Sequence, residues 1–250
     1  MKVENAMAGV PVPDALTSNA LMTGYSMTDA AMPDVAMKDV PMTDHSISPA
    51  LAELLQFWFG VPVAAAALTD PAIAARQAGL WWRKNPAVDT EIRQRFEPLL
   101  QAEQRGEHAA WQSPRALLAR IILLDQLSRN MYRGQAAAFA NDDAARALAR
   151  QLLASEADQT LSPIERVFAY LPFEHAEHWA DQQHSVALFA ALCRQVPPEW
   201  QETCQGFLDF AEQHCVIVER FGRFPHRNVL LGRPSTAEEQ AFLQLPGSSF

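Results

Sequence analysis

Beyond residue 48, apolar positions recur three and four apart, the spacing that lines one face of an α-helix. Leu51, Leu54, Leu55 and Trp58 make the first stripe, closed by Gly60. Leu117, Leu118, Ile121, Ile122 and Leu124 precede Gly134, and Phe207, Leu208, Phe210, Val216 and Ile217 precede Gly222. Start signals separate the stripes at Ser48-Pro49, Asp70-Pro71, Ser113-Pro114 and Ser162-Pro163. In each, a capping side chain accepts an orphan amide and the proline presets φ for the first helical position. Ser162 with Glu165, and Ser235 with Glu238, read as capping boxes. The pattern predicts helices near 49–59, 71–84, 87–105, 114–132, 142–154, 163–170, 173–194, 198–220 and 236–243. The β-branched run Val216-Ile217-Val218 lies inside a helical period, and no Gly/Ser-rich linker divides 49–243. The expectation is one compact all-α domain of antiparallel helices over 49–250.

Residues 1–48 follow no such period. They hold seven of the eight methionines and no Trp or Phe, and Met22, Met27, Met32, Met37 and Met42 fall every five residues. A period of five gathers no face on a helix or a strand, so the segment reads as a flexible, disordered, low-complexity Met/Asp tail. It has no continuous apolar run of the kind a signal peptide needs, and no stretch of the chain is long and apolar enough to suggest a membrane span.

Lys+Arg 20 against Asp+Glu 29 gives a formal charge of -9. This argues against nucleic acid or an anionic membrane as partner, because both need a basic face. Three cysteines are too few for a disulfide framework and point to a reducing, cytoplasmic setting. No GxSxG, GxGxxG or P-loop pattern occurs, so no cofactor is expected.

Three polar blocks stand out. In 124–134, Gln126, Arg129, Asn130 and Arg133 share one face of a helix whose earlier turns are apolar, and Asp125 pairs with Arg129 at i, i+4. In 171–184, Glu174, Glu177, His178 and Asp181 fall on one face, with His175, His178 and Gln182 on an overlapping one. Carboxylate and His at this spacing suit acid–base work or metal ligation. Metal is not expected, since no second helix offers an evident mate. In 220–233, four Arg surround His226 in 14 residues of an otherwise acidic chain. Phe221, Phe224 and Pro225 can pin that loop, making a guanidinium site for carboxylate or phosphate.

The stretches IILLDQLSRNMYRG, LPFEHAEHWADQQ and AEQHCVIVERFGRFPHRNVLLGR resemble the bacterial family called domain of unknown function 924. Phe57-Trp58-Phe59-Gly60, Trp81-Trp82 with Asp89, Ile92 and Phe96, and Ser235 to Leu243 extend the resemblance over about 51–243. It implies an all-helical, tetratricopeptide-like fold without an assigned activity. It also implies signature positions at Asp125, Gln126, Arg129, Asn130, Arg133, Glu174, His175, Glu177, Gln182, His214, Arg223, His226, Arg227 and Asn228. Where the family has Ser, this chain has Ala176, which removes any nucleophile there. No 34-residue repeat is visible in the sequence.

Two functions fit. The first is a pocket for a small anionic molecule, lined by Arg129, Asn130, Arg133, Glu177, Gln182, Arg223, Arg227 and Asn228. Glu174, His175 and His226 would supply acid–base or hydrolytic chemistry there, if the pocket turns its ligand over. The alternative is a helical-repeat scaffold for a peptide or partner protein, without catalysis. The pocket requires the three blocks to meet; the scaffold does not. Oligomeric state is left open. For the tail, deleting residues 1–48 is expected to leave the thermal unfolding midpoint of the remainder unchanged, and a clear drop would refute its independence.

Overall fold

The capping signals at Ser48 and Ser113 act where the sequence places them. In the computed structural model, which describes residues 47–62 and 66–249, Ser48 Oγ accepts the Leu51 amide at 3.3 Å and Pro49 opens α1 (Pro49–Phe59). The expected tail thus lies, except for Ile47 and Ser48, outside the described residues. Gly60 ends α1 with φ 70°, a conformation that a Cβ would strain. Then come α2 (Ala72–Trp81), α3 (Pro86–Gln104), α4 (Pro114–Ile122), α5 (Ser128–Met131), α6 (Asp142–Ala154), α7 (Pro163–Glu174), α8 (Trp179–Gln195), α9 (Gln201–Phe221) and α10 (Ala237–Phe242). No strand occurs among the described residues.

Two helices form the centre because their sequences are apolar on nearly every face. In α4, Ala116 through Ile122 are all buried, and in α7 every residue from Ile164 to Glu174 is. These two pack on each other and on α6; α1 covers α4, and α8 and α9 cover α7. Trp58 meets Phe168 edge-on, ring centroids 5.4 Å apart, and Trp81 stands 4.8 Å from Phe168 and 6.3 Å from Trp58. Trp81 is also tied to α1 by its indole N–H, which donates to the Trp58 carbonyl at 2.9 Å. The described residues form a single all-helical domain.

Three departures from the expected helices shape the site. The helix expected over 114–132 is interrupted by a π-helical turn, Leu123–Leu127. The helix expected to begin at 173 does not; α7 continues through Pro172 to Glu174, and a bend at 175–178 separates it from α8. Burial of Leu171 and Phe173 holds this last turn helical although Pro172 removes one backbone bond. At the C-terminus the capping box sits one residue later than expected. Thr236 Oγ1 accepts the Glu239 amide at 3.1 Å and Glu239 Oε2 accepts the Thr236 amide at 2.7 Å. Glu239 is preferred over Glu238 because it also faces inward. Both its carboxylate oxygens take Arg223, at 2.6 and 2.9 Å, and Asn228 reaches it at 3.3 Å.

Arg223, helped by the Thr236 amide, holds the Glu239 carboxyl down to about 2, against 4.5 for a free Glu. A folded value below the unfolded one stabilises the fold above pH 4.5, and this is lost as pH falls toward 2. Glu239→Gln is therefore expected to lower the urea midpoint at neutral pH and to flatten its fall across that window. Parallel pH profiles for variant and wild type would refute this role.

Candidate functional site

The π turn lets Asp125 leave the regular helical ladder and face the interior, completely buried. π-Helical turns of this kind are frequent at functional sites. The loosened backbone is repaired locally: Ser128 Oγ donates to the Leu123 carbonyl at 3.2 Å, and Asn141 donates to Ser128 Oγ at 3.1 Å. The bend after α7 is held by Gln182, whose amide donates to the carbonyls of Glu174 at 2.6 Å and Ala176 at 2.7 Å. The first is an orphan carbonyl of the α7 end and the second lies in the bend itself. Gln182 thereby fixes where Glu174 and His175 stand.

The bend divides the face that Glu174, Glu177, His178 and Asp181 were expected to share. Glu174 lies buried with Oε1 3.3 Å from His214 Nδ1 on α9. Glu177 accepts the Phe224 amide at 2.8 Å and pairs with Arg233. His178 is exposed, and Asp181 binds Arg146 and Arg150 of α6. The expectation that no second helix could complement Glu174 is corrected by the same geometry: α9 brings His214. Glu174, His175 and His214 each offer one donor atom, all within 4.8 Å of one another.

Asp125 joins the first two blocks. His175 Nδ1 lies 2.7 and 3.0 Å from its two oxygens, Arg129 Nη1 lies 2.9 Å away, and the Gln126 amide donates to it. Burial would raise this carboxyl, but Arg129 and His175 outweigh it and hold it well below the usual carboxylate range. The third block arrives through a residue that the sequence reading passed over. Asp142, in the first turn of α6, takes both Arg129 nitrogens at 2.9 and 3.0 Å and Arg227 Nη1 at 3.4 Å. Its signal in the sequence is only that of an acidic helix start after Asn141. The Arg227 guanidinium is sandwiched between Phe139 at 4.6 Å and Phe224 at 4.5 Å, and its Nε has no hydrogen-bond partner among the described residues.

Burial is the deciding cause at Glu174, His175, His214, His226 and Arg227. It lifts Glu174 to about 8, with the charge of Asp125 adding to the effect. Burial followed by neighbouring positive groups lowers His214 to about 3, His226 to about 4 and Arg227 to about 10. His175 is lowered by burial against the pull of Asp125.

An open cleft of about 240 Å³ lies above this network, walled by Arg227, His175, Glu177, Asp142, Arg146 and Phe139. Of the expected site residues, His175, Glu177 and Arg227 reach it. Arg129 stands behind Asp142, Gln182 and Glu174 stand behind His175, and His226 flanks Phe224 at a ring distance of 5.7 Å. The structure directs the others elsewhere. Asn130 and Arg133 bind Asp89 of α3, at 2.9 and 2.7 Å, while Arg223 and Asn228 bind Glu239. The face assumed to unite Gln126, Arg129, Asn130 and Arg133 is thus split between α6 and α3.

Residues 54–247 match the family described as bacterial protein of unknown function (DUF924). The chain belongs to that family. A solved structure of a protein of unknown function from Agrobacterium tumefaciens is 38% identical, with a TM-score of 0.60. The alignment covers 72% of this chain and 97% of that one. No curated protein matches.

In this DUF924 protein the cleft is backed by alternating charges, Asp125, Arg129, Asp142 and Arg227 in contact order. Removing one member of a buried set strands its partners, at a cost of about 3–5 kcal/mol. Asp142 and Arg129 keep 14% and 19% of their side-chain surface, so Asp142→Ala is expected to lose only part of that, about 1–3 kcal/mol by chemical denaturation, mainly because it leaves Arg227 without its carboxylate. Its neighbour Asp143 is 92% exposed, so Asp143→Ala is expected to stay within about 0.5 kcal/mol of wild type. Equal effects from the two would refute the buried relay.

Proposed function

We propose that this DUF924 protein binds a small carboxylate- or phosphate-bearing molecule in the cleft between α6, the α7–α8 bend and the 223–228 loop, with Arg227 as its anion contact. The supporting observation is the state of Arg227. It is buried, with its guanidinium carbon 4.6 and 4.5 Å from the ring centres of Phe139 and Phe224, and it shares an already occupied Asp142 at 3.4 Å. Other charged groups at the cleft wall have closer counterions: Asp142 has Arg129, Glu177 has Arg233, and Arg146 has Asp143 and Asp181. Arg227 keeps donors to spare, and a charge-assisted bond from such a group contributes about 1.5–3 kcal/mol.

Beside it, His175 is oriented through Nδ1 by Asp125, which leaves Nε2 for proton transfer to or from a bound ligand. Glu174 and His226 stand behind this pair as further proton-carrying groups in the same reading. Arg129 and Gln182 act by positioning. Asn130, Arg133, Arg223 and Asn228 enter the reading only as braces of the walls. The cleft volume suits a small metabolite over a polyanion, and the net charge of -9 disfavours the latter as well.

Two of the three blocks line the cleft and the first reaches it only indirectly, through Asp125 against His175 and Arg129 against Asp142; this partial meeting supports a pocket over a peptide-binding scaffold. We read the successive packing of α7, α8 and α9 as tetratricopeptide-like pairing in support of that cleft. A cytoplasmic setting belongs to the same reading, supported by Cys193, Cys204 and Cys215 all being free thiols. No helix among the described residues is long and apolar enough to cross a membrane.

The test is a thermal-shift screen of phosphate- and carboxylate-bearing metabolites against wild type and Arg227→Gln. A stabilising anion whose effect disappears in a variant with an unchanged apo midpoint is the expected outcome. An Arg227→Gln apo midpoint that collapses, together with no anion that stabilises wild type, would overturn the reading and leave Arg227 a structural staple.

A further inference from the structure

Glu174 is a buried carboxylate, and no Arg or Lys pairs with it among the described residues. Such a group must either hold a proton or meet a cation. Two imidazoles stand beside it, from the next residue and from α9, and the three donor atoms fit within 4.8 Å of one another. Asp125 anchors His175 from outside the cluster, holding its Nδ1 at 2.7 Å, while His214 Nδ1 lies between the Phe210 carbonyl at 2.8 Å and Glu174 Oε1 at 3.3 Å. An outer carboxylate such as Asp125 orients a metal-ligating histidine and fixes its tautomer.

The surrounding charges also allow a cation. Arg129 and Arg227 approach the cluster from the cleft side, but Asp125 and Asp142 offset them. An ionised Glu174 would leave the neighbourhood with negative charge to spare. The donor set is two nitrogens and one oxygen, the composition of open three-ligand zinc sites, with a fourth position left for water or a ligand. His175 is the member that reaches the cleft wall.

We propose that Glu174, His175 and His214 bind a divalent transition-metal ion of the zinc class, with Asp125 as the outer partner that positions His175. This site does not rest on Arg227 or on an anion, and metal uptake can be measured with no anionic metabolite present; a bound ion would take the His175 nitrogen and the Glu174 carboxyl that the anion reading gives to proton transfer.

The experiment uses the full chain, stripped with a chelator and dialysed into a buffer free of phosphate and carboxylates. Zn²⁺ is then titrated by calorimetry and by thermal unfolding, with Mg²⁺ as the oxygen-preferring control. The expected result is uptake of one Zn²⁺ per chain with a raised midpoint, and no response to Mg²⁺. Glu174→Gln should abolish uptake while leaving the apo midpoint at or above wild type, since it removes a buried carboxylate that lacks a basic partner. His214→Gln should abolish it too, and Asp125→Asn should weaken it by about 10–100-fold. Co²⁺ supplies a second readout. Wild type should show the visible bands of a four-coordinate ion, and folded Glu174→Gln should not. No Zn²⁺ uptake by the stripped wild type would overturn the proposal. So would equal uptake by the folded Glu174→Gln protein, which places the ion elsewhere on the chain.

Discussion

The burial of one carboxylate, that of Asp125, organises everything around the cleft. An ion removed from water in this way survives only with partners that replace its hydration. It finds them in Arg129 on its own helical segment and in His175 at the end of α7. Arg129 then needs more than Asp125 can give and takes Asp142 of α6, which in turn meets Arg227. Each link answers the desolvation of the one before it, and together they tie four separate stretches of chain into one geometry. Such a relay adds little net stability over an apolar core of equal volume. Its effect is to fix where the polar groups stand.

The apolar shell makes these groups chemically unusual. Phe139 and Phe224 close over the Arg227 guanidinium, and Phe224 also packs against His214 with ring centroids 5.5 Å apart. With little water nearby, each polar interaction strengthens and each unpaired group becomes costly. This is why a carboxyl near 8 and imidazoles near 3 and 4 lie within a few side chains of one another. Groups pushed apart in this way are what acid–base chemistry draws on. Ala176 at the cleft wall offers no hydroxyl, so any such chemistry in this protein proceeds without one at that position.

The chain shares its family with the DUF924 proteins and is similar to the Agrobacterium tumefaciens structure, and its own helical core is built on α4 and α7. The residues that brace the walls from outside, Asp89 against Arg133 and Glu239 against Arg223, work differently from the buried relay. Their pairs lie nearer the surface and lock the end of α5 and the 223–228 loop in place. The cleft is thus bounded by two kinds of electrostatics, a dry set that shapes its floor and a wetter set that holds its rim.

Local chemistry alone determined the helical class, the starts of α1, α4 and α7, and the end of α9 at Gly222. Ser48 and Ser113 before prolines accept helix-start amides, Glu165 accepts the Ser162 amide at 2.8 Å, and Gly222 adopts φ 68° with no help from elsewhere. The i, i+4 contact of Arg129 with Asp125 was legible for the same reason. Tertiary structure decided the rest. The π turn exists because Asp125 has partners 50 residues away. The bend after Glu174 exists because core burial outweighs the breaker Pro172 and Gln182 caps the exposed carbonyls. Asp142 looks like an ordinary helix start until Arg129 and Arg227 close on it, and His214 looks like one more polar residue on α9 until Glu174 arrives from α7. A periodic pattern reports which face of a helix is apolar. It carries no information about which distant charge a buried polar group will need, and the site is made of those pairings.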